Sequence, residues 1–135
     1  SPTAYPDGSD STGQRYSIGY GHQIQPGESY LLTSTISYGT ASQLLQSDIQ
    51  SVTNQILSSG LLLTQGQIDA LLDFGYNAGS VALGKVLNTL SMSGQDAAIS
   101  EIQQYIYWHP TPGSQAVVSQ NLVNRRSIEV QTFNS

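Results

Sequence analysis

GTASQLLQSDIQSVTNQILSSG, residues 39–60, is where the character of the chain changes. Thr40 followed by Gln43 has the form of a capping box, in which two side chains satisfy the free backbone N–H groups that open a helix. Leu44, Leu45, Ile49, Val52 and Ile56 then recur at steps of three and four, the period of one helical face. Gly60 follows as a stop, since glycine accepts the left-handed backbone that closes many helices. Nothing before Gly39 has this period. The switch predicts an α+β chain, with a β-rich part over about residues 1–39 and a helical part over about residues 40–135 of a single domain.

Reading outward toward the start, Pro6-Asp7-Gly8 carries a turn signal. Arg15 to Gly21 has strand-forming content broken by glycines, which invite a bend or a close approach. Together they predict a small, irregular β-hairpin region. Toward the other end, Thr64 with Gln67 forms a second capping box, followed by Ile68, Leu71 and Leu72. Further helices are expected over about residues 81–90 and from residue 93 or 94, carrying Ala98, Ile99, Ile102 and Ile106. Pro110 and Pro112 end the latter. A last helix is expected from about Ser114, with Val118, Leu122 and Phe133 along it. At least four helices follow, and Trp108 reads as core packing.

Composition narrows the function classes. The chain has 135 residues, room for one hydrophobic core. Its four Lys and Arg against nine Asp and Glu give a net charge of −5, which excludes a nucleic-acid or anionic-membrane surface as the main partner. No cysteine is present, so there is neither a disulfide framework nor a thiolate metal site. His22 and His109 lack metal-ligand spacing, and neither a metal nor a cofactor is implied. The longest apolar run, Leu61-Leu62-Leu63, is too short to span a bilayer, and no secretory signal opens at Ser1.

Four ordered segments carry a family signature. They are Tyr5-Pro6-Asp7-Gly8; Ser17-Ile18-Gly19-Tyr20-Gly21-His22, continuing into Pro26-Gly27-Glu28; residues 63–71 leading into Phe74-Gly75-Tyr76-Asn77-Ala78-Gly79; and Leu122-Val123-Asn124-Arg125-Arg126 before Glu129 and Phe133. Together they resemble the phage-type lysozymes, the endolysin and tail-lysozyme muramidases. The resemblance implies a lysozyme-like fold and hydrolysis of the β-1,4 bond between N-acetylmuramic acid and N-acetylglucosamine in bacterial peptidoglycan. It further implies action on the cell wall, from a phage virion or inside an infected host.

The resemblance also implies residue roles. Asp7 matches the aspartate that positions and activates water. Ser17 stands where the family has threonine, keeping the hydroxyl and losing the methyl. Tyr20, His22, Asn77 and Arg125 match substrate-binding or site-supporting positions, His22 being structural and Arg125 matching an arginine that pairs with the catalytic glutamate. That glutamate lies seven residues before the tyrosine matched by Tyr5, which places it ahead of Ser1, together with the family's N-terminal helix. Glu28, Glu101 and Glu129 match other positions. Glycoside cleavage needs one carboxylic acid to protonate the leaving oxygen and a second group to activate water. One carboxyl cannot do both in the same step, so the acid is expected from a separate chain or a cleaved N-terminal peptide. The alternative is a catalytically inactive glycan-binding or structural virion domain. Asp7, Ser17, His22, Asn77 and Arg125 are expected to converge on one groove.

Overall fold

The computed structural model describes residues 1–10 and 13–135. They form two compact units, one built from Ser1–Asp48 with Trp108–Val117, the other from Ile49–Tyr107 with Val118–Ser135.

In the first unit, β1 (Tyr5–Asp10), β2 (Gly13–Ile18) and β3 (His22–Gln23) make an antiparallel sheet with β2 central. Tyr5 faces Ser17 and Pro6 faces Tyr16, but the next pair is Ser9 with Gln14, so Asp7 and Gly8 form a bulge. The predicted turn at Pro6-Asp7-Gly8 is therefore a bulge inside a continuing strand. The same residues serve either purpose, because Gly8 supplies a positive φ of 73° in both. The Gln14 side-chain amide donates to the Gly8 carbonyl at 2.5 Å, satisfying it beside the break in the ladder. Ile18, Leu31 and Ala41 form a small apolar centre. Gly19 fits against it, where an added Cβ would lie 3.1 Å from that of Ala41.

The first long helix, α1 (Tyr38–Ser58), starts earlier than Thr40. Ser37, not Thr40, caps it: its Oγ accepts the Thr40 N–H at 3.0 Å. In the second unit, α2 (Gln65–Ala78) opens on the expected Thr64–Gln67 capping box, with both reciprocal bonds present. Next come α3 (Ser80–Ser93) and α4 (Gln95–Gln103), then α5 (Gln120–Phe133), opened by Ser119. Phe74, Leu71, Leu83, Val86 and Ile102 lie at the centre of this unit. Burying each large side chain is worth about 1.5–3 kcal/mol. Gly75 permits the closest approach: a Cβ there would meet Leu83 Cδ2 at 2.6 Å and Val52 Cγ1 at 2.8 Å.

Three expectations are overturned by the structure. The helix through Ile102 ends at Gln103, seven residues before Pro110, and the last begins at Gln120, not near Ser114. Between them, β4 (Tyr107–Trp108) pairs with β5 (Val117–Val118). Trp108 is not core: it is 43% exposed. Among the described residues no helix is long and apolar enough to cross a membrane.

Candidate active site

Asp7 sits in the β1 bulge and Ser17 near the end of the central strand β2. Ser17 is 1% exposed, whereas Asp7 is open to solvent. The Ser17 hydroxyl donates to Asp7 Oδ2 at 2.7 Å. Tyr5 pairs with Ser17, so Asp7, two residues further along β1, starts from the same face of the sheet. The serine's proton is committed to the carboxylate, so its oxygen offers only lone pairs to a further partner. Oδ1 of Asp7 remains a second acceptor. A water approaching this pair meets two acceptors side by side. It would donate both protons to them and present its own lone pair outward.

His22 opens the edge strand β3, with both ring nitrogens facing carboxylates. Nδ1 is 2.9 Å from Asp48 Oδ2, and Nε2 is 3.0 Å from Glu28 Oε1. Burial pushes its pKa down, but the hydrogen bonds to Asp48 and Glu28 and their charges outweigh this, so the net shift is upward. Glu28 responds inversely. Burial raises its pKa, while the Gln25 N–H and His22 lower it further, and the net shift is downward.

A histidine whose folded pKa exceeds its ordinary 6.5 stabilises the fold fully below that value and loses the contribution as pH rises through the folded value. We therefore expect His22→Asn to cost roughly 2 kcal/mol at about pH 5, as a lost pair of charge-assisted hydrogen bonds, and less at about pH 9. Thermal melts of both proteins across that range check it. A gap that widens with pH would contradict the arrangement.

Tyr20 is exposed and meets Tyr38 edge-on, ring centroids 5.9 Å apart. Asp7, Ser17, Tyr20 and His22 thus belong to the first unit, and Asn77 and Arg125 to the second. Asn77 stands in the last turn of α2, but Gly79 closes that helix. The Asn77 side-chain oxygen instead accepts from Arg126 Nη2 at 2.5 Å. Arg125 chelates Asp73, donating from Nη2 to Oδ1 at 2.9 Å and from Nε to Oδ2 at 3.2 Å, both side chains half-exposed.

Arg126, quoted within the fourth segment but given no role there, is 2% exposed. Its guanidinium lies over the Phe74 ring, 5.0 Å from the centroid, and Nη2 donates to Glu129 Oε2 at 3.1 Å. Arg126 Nε and Glu129 Oε1 are 2.7 Å apart as an ion pair, although that N–H does not point at the oxygen. Burial, then a hydrogen bond shared with Asp73, pushes the Glu129 pKa up to about 8, against the pull of Arg126. Asp73 is raised by burial but lowered more by Glu129 and Arg125, ending below its ordinary value. The missed signal was positional: Leu122, Arg126, Glu129 and Phe133 follow the helical period of the inward face of α5.

The three glutamates all have partners. Glu28 accepts from the Gln25 backbone and faces His22, Glu101 accepts from the Tyr105 hydroxyl at 3.3 Å, and Glu129 is held by Arg126.

A family model described as phage lysozyme matches residues 1–129. The endolysin of Bacillus phage PZA is 32% identical over 127 residues, covering 92% of this chain and 46% of the endolysin. That of Bacillus phage B103 is 33% identical over 127 residues, covering 90% and 44%. The chain therefore spans a little under half the length of these relatives. Among solved structures, the muramidase domain of SpmX from Asticaccaulis excentricus superposes with a TM-score of 0.70 at 25% identity, covering 99% of this chain and 86% of that one. An endolysin from an Escherichia coli O157:H7 phage, FAHEc1, gives 0.69 at 24% identity, covering 98% and 82%, a likeness of fold.

Proposed function

Because the chain belongs to the phage lysozyme family, we propose that it is the catalytic part of a muramidase that hydrolyses the β-1,4 bond between N-acetylmuramic acid and N-acetylglucosamine in bacterial peptidoglycan. The observation that carries this reading is the Asp7 carboxylate held by the buried Ser17 hydroxyl. In the proposed mechanism Asp7 takes a proton from the attacking water and Ser17 accepts the other as a hydrogen bond, which fixes the water for attack on the anomeric carbon. The leaving oxygen takes its proton from a carboxylic acid supplied by a preceding segment or a separate chain, since Glu28, Glu101 and Glu129 are engaged elsewhere. Tyr20, Asn77 and Arg125 are proposed sugar-binding or site-supporting residues. His22 supports the loop that follows the sheet through Glu28.

The engagement of all three glutamates also favours a second reading, a glycan-binding virion domain that cleaves nothing. Clearing of purified cell walls, with mass analysis of the fragments, separates the two. Fragments ending in a reducing N-acetylmuramic acid, once a segment with glutamate seven residues before Tyr5 is present, support the muramidase. Walls bound but uncut by that protein support the binding domain.

A further inference from the structure

We propose that the exposed face of Trp108, packed against the strand at Gly8, is a stacking platform for a pyranose ring of the glycan. Resting on the muramidase reading for its ligand, it adds a binding residue that the family signature does not contain.

The placement is local to the first unit. The indole lies against the β1 bulge: a Cβ on Gly8, the residue after Asp7, would stand 3.7 Å from Trp108 Cε3. The segment beyond the tryptophan is fastened to the same strand. The buried Ser9 hydroxyl lies 3.1 Å from the carbonyl oxygens of both His109 and Thr111. Gly8 is also at φ 73°, so a side chain there would be strained as well as pressed on the ring. A large aromatic is thus set at a defined position against Gly8, the residue after Asp7, and left 43% exposed, whereas burial would be the usual use of its area.

Sugar chemistry fits that surface. In a β-1,4-linked N-acetylglucosamine ring every substituent is equatorial, so both ring faces present only axial C–H bonds. Such a face packs on a flat indole, and the indole N–H at the rim can donate to a hydroxyl or an acetamido oxygen.

Trp108 is the chain's only tryptophan, so its fluorescence reports on this site alone. Titration with the β-1,4-linked tetramer of N-acetylglucosamine should give a saturable blue shift, absent with free N-acetyltryptophanamide. Trp108→Ala should raise the half-saturation for that tetramer, followed by calorimetry, about tenfold. Trp108→Tyr, which keeps a flat ring, should stay within about threefold, with melting temperatures confirming that the variants fold. An unchanged emission spectrum at saturating tetramer overturns the platform, whether or not walls are cleaved. If Trp108→Ala does not fold, the wild-type titration decides alone. A blue shift from a protein that cleaves nothing even with the acid restored keeps the platform and overturns the muramidase reading.

Discussion

Asp7→Asn is expected to reduce cell-wall hydrolysis about 10²–10⁴-fold in protein that carries the acid, the usual contribution of one general base. The substitution is close to isosteric. The asparagine oxygen can still accept the Ser17 hydroxyl that now reaches Oδ2 at 2.7 Å, so the melting temperature should hardly move. What is lost is a carboxylate able to take the water's proton. Ser17→Ala should cost less, because it removes an acceptor that orients water and no charge. Ser17→Thr should match or exceed the parent, since a β-branched side chain holds its hydroxyl more rigidly. Rates of turbidity loss at matched folded protein measure all three. Retained activity in Asp7→Asn would place the base elsewhere.

Arg126→Met should produce the largest loss of stability. The arginine is enclosed among Phe74, Asn77, the Tyr105 carbonyl and Glu129. Its removal strands these acceptors and leaves Glu129, 1% exposed, without its cation. Breaking one side of a buried pair typically costs about 3–5 kcal/mol, or roughly a 10 °C fall in melting temperature for a chain of this size. Replacing both partners, Arg126→Met with Glu129→Leu, should restore much of it, because the cost comes from stranded polarity more than from lost attraction. A double variant no better than the single would show that the pair itself supplies the stability. The pH sign is also fixed. A carboxyl raised to about 8 stabilises the fold fully below the ordinary carboxylate range, and the contribution fades as pH climbs toward that value.

Much of the architecture was legible because it rests on local rules. The Thr64–Gln67 box and the α1 periodicity each needed only a few neighbouring residues to be read. The α1 start was misplaced because Ser37 and Thr40 are both good caps, and only the backbone path chooses between them. Pro6-Asp7-Gly8 carried the correct positive-φ residue, but whether it turns the chain or bulges it is decided by the partner strand. Two-residue strands such as β4 and β5 are too short for any period to show, so the exposed Trp108 went unrecognised as well. For the site, the family resemblance of the quoted segments pointed to Asp7, Ser17 and His22. Their partners, Asp48 and Glu28 among them, are set by tertiary geometry that spacing does not encode.

Sealing Arg126 inside the second unit and chelating Arg125 with Asp73 has a consequence for how this protein meets a surface. Two of only four basic side chains are thereby neutralised, on a chain that already carries a formal charge of −5. Little long-range attraction is left to draw it toward a polyanion. Its arrival at such a layer is then governed by diffusion and short-range fit, and added salt, which screens charges beyond about 10 Å, should not slow the encounter.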